Sequence, residues 1–235
     1  MAVVHGLCRL QSLSIGIYQL VPDDVGIEEV WDEIIERRRV IMIYDVLKFL
    51  HIIGFVFMSV PLFNLIIVNE RALMGTSFIY HVDRYMENII RRGAIRCFIF
   101  QFTVLTTGVL LIIFGPLGIK AIWQNWVLLA KTLLLFTLMG SLSYVHFNLQ
   151  PKIEALIANL SAESPIPEGL MGKLKPYRVR RKKFATFCLF LVITTIILGL
   201  QVYGAFNPIL NVVLIILAGF FALRASKTLV RFGWF

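Results

Sequence analysis

Apolar residues run in long stretches along this chain, and charged residues gather in clusters between them. A membrane-spanning helix needs about 20 mostly apolar residues, because lipid offers no partner to an exposed backbone group. The pattern predicts spans at about 44–68, 97–114, 126–147, 184–206 and 209–223. The second stops at Gly115-Pro116, and Asn207-Pro208 makes a tight turn into the fifth, which is short for a full crossing. Trp123 and Trp126 sit ahead of the third span like an aromatic belt. The expected fold class is therefore all-α, a polytopic membrane helix bundle with interfacial amphipathic helices.

Outside the spans the period changes to that of surface helices. Pro22-Asp23-Asp24 reads as a helix start, followed by Ile27, Val30, Trp31, Ile34 and Ile35 at helical spacing opposite charged positions. That describes an amphipathic helix over 24–40 lying at the membrane surface or against a partner. Residues 1–43 do not read as a signal peptide. Between the first two spans, Ile79, Val82, Met86, Ile89 and Ile90 alternate with Arg84, Arg91 and Arg92, predicting an interfacial helix with His81 on its edge. The organisation expected is a tail (1–43), spans one to three (44–148), a basic loop (149–183) and two spans with a C-terminal tail (184–235).

Composition agrees. Of the 235 residues 58% are hydrophobic and only 16% charged, where a soluble domain is about a quarter charged. The net charge of +9 is best read as topology. Five arginines fall in 69–96 and eight Lys or Arg in 149–183, whereas 115–125 has only Lys120. Basic loops stay in the cytoplasm. The expectation is a multi-pass protein of the cell (plasma or inner) membrane, N-terminus outside and C-terminus cytoplasmic. No basic groove with interleaved aromatics suggests nucleic acid. Cys8, Cys97 and Cys188 are scattered and odd in number, against a disulfide framework or structural zinc site.

Ionisable side chains inside a span are costly and mark functional positions by default. His51 lies in the first span and Lys131 in the third. At about 1.5 Å per residue, His51 is roughly 10 Å below Tyr44 and Lys131 roughly 8 Å below Trp126, so both sit at nearly one depth. An imidazole or a deprotonated amine can ligate heme iron, and two helices can sandwich a flat macrocycle between them. Plainer roles exist for each: Lys131 snorkelling to the headgroups, His51 bonding a neighbouring carbonyl. His146 falls at the opposite membrane face, and His5 and Cys8 form only a lone H-x-x-C. Gln101, Thr106 and Thr107 are expected to make interhelical hydrogen bonds. No nucleophile elbow, phosphate-binding glycine loop or H-E-x-x-H motif is present.

The run Val46-Leu-Lys48-Phe-Leu-His51-Ile-Ile-Gly54 resembles the first helix of the heme-containing membrane protoporphyrinogen oxidases and their copper-resistance D-like relatives. Trp126-Val-Leu-Leu-Ala-Lys131-Thr-Leu resembles their lysine segment, and Phe102-Thr-Val-Leu-Thr-Thr-Gly108 their glycine-bearing second helix. The likeness covers roughly residues 44–150. It implies heme b, with His51 and Lys131 as metal ligands. The chain departs where the family places a Trp and a Gly soon after the histidine; here Phe55-Val-Phe-Met-Ser-Val-Pro61 follows. A member would begin near Met42, and the basic loop 149–183 departs from a compact four-helix enzyme.

Three function classes follow. The first is a b-type heme membrane protein moving electrons to a quinone or partner subunit, porphyrinogen oxidation being its specific version. The second is a cofactor-free accessory or anchor subunit of a larger membrane complex or homo-oligomer. The third is copper or small-solute transport, ranked last because the seven methionines form no cluster with His or Cys.

Overall fold

The computed structural model describes residues 27–74, 78–115, 118–163, 165–202 and 207–227. Among them are helices α1 (Ile27–Met74), α2 (Tyr80–Phe114), the short α3 (Ala121–Gln124), α4 (Trp126–Tyr144), α5 (Gln150–Ile157), α6 (Leu170–Leu200) and α7 (Pro208–Lys227), and no strand. A π-helical turn, Val145–Leu149, joins α4 to α5. Five helices are long and apolar enough to cross a membrane: Ile34–Asn69, Tyr80–Phe114, Trp126–Ile157, Leu170–Leu200 and Pro208–Lys227. The all-α polytopic fold expected from the pattern is the fold observed. The fifth span is longer than its apolar core suggests. Its 20 residues rise about 30 Å, the thickness of a hydrocarbon core.

The chain divides into two units, Met1–Val46 and Leu47–Phe235. The helix start at Pro22-Asp23-Asp24 and the H-x-x-C of His5 and Cys8 lie outside the described residues. Within the first unit Trp31, Ile35, Val40 and Ile41 are exposed on α1.

In the second unit four helices share one core. Phe55, Met58 and Leu62 of α1 meet Ala94, Cys97 and Val104 of α2, Leu135, Leu138 and Leu142 of α4, and Cys188, Leu191 and Val192 of α6. Glycine permits the closest approach: a Cβ on Gly54 would stand 2.8 Å from Val104 Cγ2. The inward face of α7 is built from Ala218, Ala222 and Ala225, with Gly219 against the Phe190 ring. Small residues let helix backbones pack closely in lipid, where the hydrophobic effect supplies no attraction between helices. Phe49, Phe102, Phe136 and Phe220 are exposed, as lipid-facing residues should be. Hydroxyls inside the helices are satisfied locally, Thr103, Thr132, Thr137 and Thr194 each donating to the carbonyl four residues back.

Two prolines leave their mark. Pro61 sits inside α1 and removes the hydrogen bond that would reach Phe57. Pro151 has no N–H for Phe147 and its ring would strike that carbonyl; the π turn just ahead of it, closed by Gln150 N–H on the Val145 carbonyl, widens the helix at that point.

The loops expected between spans are largely helical. Residues 80–92, expected as a separate interfacial helix, are the first turns of α2. The expected loop 149–183 contains α5 and the first half of α6, which opens at Gly169 with φ 79°, a left-handed conformation natural to glycine. Phe78, Ile153, Ile157, Leu170 and Leu174 bury a second, smaller core there. The helices thus continue past their apolar stretches and pack again.

Candidate functional site

His51 lies on α1, half-buried, with its ring edge-on to Phe55 at 5.3 Å between centroids. Its Nδ1 is 3.0 Å from Thr107 Oγ1 on α2. Thr107 Oγ1 has one proton and spends it locally, donating to the Thr103 carbonyl at 2.7 Å. The hydroxyl therefore accepts from His51, which makes Nδ1 the protonated ring nitrogen and leaves the Nε2 lone pair uncommitted. Gly108 makes the arrangement possible, since a Cβ there would come within 3.1 Å of His51 Cε1. Of the two neighbouring threonines with a hydroxyl to offer between helices, Thr106 and Thr107, it is Thr107 that makes the bond.

Lys131 lies on α4, which starts at Trp126 with the Asn125 side chain accepting from Val127 N–H at 3.0 Å. The lysine does not extend outward along the lipid. Its Nζ rests 3.4 Å from the position a Cβ on Gly199 of α6 would take. Among the described residues Lys131 has no hydrogen-bond or ion-pair partner. It lies within electrostatic range of the His51 ring. Two nitrogen functions on two helices thus turn into one interior, each against a glycine.

His146 is elsewhere, in the π turn, with Phe98 and Phe147 edge-on at 5.6 and 5.0 Å. Among the described residues no group of three or more His, Cys, Asp or Glu side chains is placed to hold a metal ion. Cys97 and Cys188 are both buried and free.

A second polar constellation is one that sequence reasoning misses. At the end of the bundle opposite the α4 start, Arg181 of α6 is completely buried. Its Nη1 donates to Glu87 Oε2 at 2.6 Å and its Nη2 to Glu87 Oε1 at 3.1 Å, a bidentate pair with α2. The same guanidinium reaches Asn69 Oδ1 of α1 at 2.6 Å and Gln150 Oε1 of α5 at 2.8 Å. Arg178, also fully buried, pairs with Asp83 Oδ1 at 2.7 Å and Glu87 Oε1 at 3.3 Å. Asp83 closes the start of α2 as well, accepting from Ile79 N–H at 2.9 Å. Two guanidiniums and two carboxylates cancel in charge, and Arg181 spends its donors on Glu87, Asn69 and Gln150. Such a cluster ties four helices together and leaves little capacity for chemistry. Its signal in the sequence is the spacing Asp83–Glu87 and Arg178–Arg181, which puts each pair on one helix face.

Comparison with models of known protein families, with characterised proteins and with solved structures returned no match.

Proposed function

We propose that this chain is an integral membrane b-type heme protein that moves electrons, with His51 and Lys131 as the iron ligands. One observation carries the reading: the Thr107 hydroxyl holds the His51 ring by Nδ1, so Nε2 keeps its lone pair for a ligand. Outer hydrogen bonds of this kind fix the tautomer and orientation of a ligating imidazole. Lys131 supports the pairing because it turns inward without a protein partner among the described residues. Gly108 and Gly199 are compatible with it, since the His51 ring and the Lys131 amine each pack closely against one of them. The residues thus fit the group in donor chemistry. Bound there, a heme would supply a one-electron iron couple. The chain's own part is to orient His51 through Thr107, to keep the Lys131 amine among apolar helices, and to exclude water with the core around Phe55 and Val104.

Oxidation of a porphyrinogen is the specific form of this reading, supported by the likeness of the segments around His51, Gly108 and Lys131. The orientation proposed places the Arg and Lys clusters in the cytoplasm of the plasma or inner membrane and the Gly118–Lys120 turn outside. A cofactor-free anchor subunit is the second reading. It is favoured by the exposed Trp31 and Ile35 on the N-terminal unit, a surface suited to docking.

A reduced-minus-oxidised visible spectrum of protein purified from heme-replete cells tests the choice. A b-type band, lost or shifted in both His51→Ala and Lys131→Ala, is expected. A colourless wild-type protein overturns the heme reading and leaves the anchor reading in its place.

A further inference from the structure

A cavity of about 530 Å³ lies between α1 and α2, away from His51 and Lys131. That volume is within the range of ligand sites. One end of its lining is apolar, with Phe57, Val60 and Phe100. The Phe57 and Phe100 rings meet at 5.7 Å between centroids. Phe57 and Val60 are each about half exposed, at 47% and 49%, so this end opens sideways to where acyl chains lie.

The other end is polar and positive. Arg92 and Arg96 line it with Asn64 and Asn88. The two arginines are four positions apart and so project from one face of α2. Gly93 between them places no side chain in the groove, and a Cβ there would meet Pro61 Cβ at 3.8 Å. Both guanidiniums are exposed, and among the described residues neither has an ion-pair or hydrogen-bond partner. This separates them from Arg178 and Arg181, whose charges are matched inside the protein. Arg96 immediately precedes the apolar stretch that opens at Cys97, so the guanidiniums sit at the level of lipid headgroups.

An occupant must therefore be an amphiphile: an anion with several acceptor oxygens at one end and a hydrocarbon body at the other. Guanidiniums suit phosphate, which accepts paired hydrogen bonds, and basic pockets between spanning helices bind anionic headgroups. We propose that the groove between α1 and α2 is a binding site for an anionic phospholipid, whose phosphate is held by Arg92 and Arg96 and whose chain lies on Phe57, Val60 and Phe100. Asn64 and Asn88 donate to the remaining phosphate or glycerol oxygens. The site is independent of the heme reading.

Native mass spectrometry of the detergent-solubilised protein tests this, titrating dioleoyl phosphatidylglycerol against dioleoyl phosphatidylcholine. One phosphatidylglycerol is expected to bind roughly tenfold or more tighter than phosphatidylcholine, given the contribution of each arginine near a headgroup. Arg92→Gln with Arg96→Gln should abolish that preference, whereas Arg91→Gln, outside the groove, should keep it. Val60→Trp should weaken both lipids by filling the apolar end. Equal binding of the two lipids by wild type, or an equal loss in Arg91→Gln, overturns the proposal in favour of diffuse charge attraction. Displacement of phosphatidylglycerol by millimolar inorganic phosphate overturns it in favour of a simple anion site. The wild-type comparison decides the matter even where a variant fails to fold.

Discussion

Arg181 grips Glu87 through two hydrogen bonds of 2.6 and 3.1 Å with both side chains buried. The pair joins α6 to α2 where their apolar stretches end, and Asn69 and Gln150 extend it to α1 and α5. Removing one partner strands the other charge in the interior, which costs about 3–5 kcal/mol. Glu87→Ala and Arg181→Ala are each expected to lower stability by that order. The double change to Met at both positions should recover much of the loss, because that pair then leaves no charge of its own uncompensated. Chemical denaturation in detergent checks this; a double variant as weak as the worse single one would refute it.

The crossing of α1 and α2 rests on the absence of one methyl group. A Cβ on Gly54 would lie 2.8 Å from Val104 Cγ2, and a β-branched side chain packed in a core has few rotamers to retreat to. Gly54→Ala should destabilise the bundle by about 1–3 kcal/mol through overpacking. Val104→Ala alone should also destabilise, by making a cavity. Their combination should be better than the sum, since each change removes the other's clash or void. Additive losses in thermal unfolding of the three variants would show that the helices separate instead.

The spans are legible in the sequence because an apolar stretch long enough to cross lipid, and almost free of charge, is poorly suited to any structure in water. Gly115 and Asn207 mark helix ends through local backbone chemistry, which a sequence displays directly. His51 and Lys131 stand out as ionisable groups where charge is expensive. The buried cluster does not stand out. Arg178 and Arg181 belong to a run of six Lys or Arg between 173 and 182, and nothing local separates a buried guanidinium from a solvated one. The groups that meet Arg181 lie between 31 positions away, at Gln150, and 112 positions away, at Asn69, so only the tertiary fold brings them together. Thr107 is legible as an interhelical donor or acceptor but not as the partner of His51, for the same reason.

Orientation is open to a direct check. Ile119 and Lys120 lie in the short turn between α2 and α3, and Glu163 lies in the exposed stretch between α5 and α6. Alkaline phosphatase fused after residue 120 should be active, since it folds only outside the cytoplasm, and fused after residue 163 it should be inactive. The charge asymmetry between these connections supports that direction. The reverse pattern would turn the bundle over and move the Arg92 and Arg96 headgroup contacts to the other leaflet.

The His51 anchor makes the sharpest distinction between an orienting bond and mere packing. Thr107→Val keeps the shape of the side chain and removes the hydroxyl, leaving the His51 Nδ1–H without its 3.0 Å acceptor. Loss of one buried hydrogen-bond partner costs about 1–3 kcal/mol, and the imidazole becomes free to change tautomer. Thr107→Ser retains the oxygen and should behave almost as wild type. Gly108→Ala attacks the same ring by a different route, through a methyl 3.1 Å from Cε1. Gly199→Ala brings a methyl only to ordinary contact, 3.4 Å from the flexible end of Lys131, and should be tolerated. Under the heme reading, Thr107→Val and Gly108→Ala shift or broaden the b-type band while Thr107→Ser and Gly199→Ala leave it in place. A spectrum unmoved by all four, with stability altered only in Thr107→Val and Gly108→Ala, would mean that His51 is a packing residue held by Thr107 and ligates nothing.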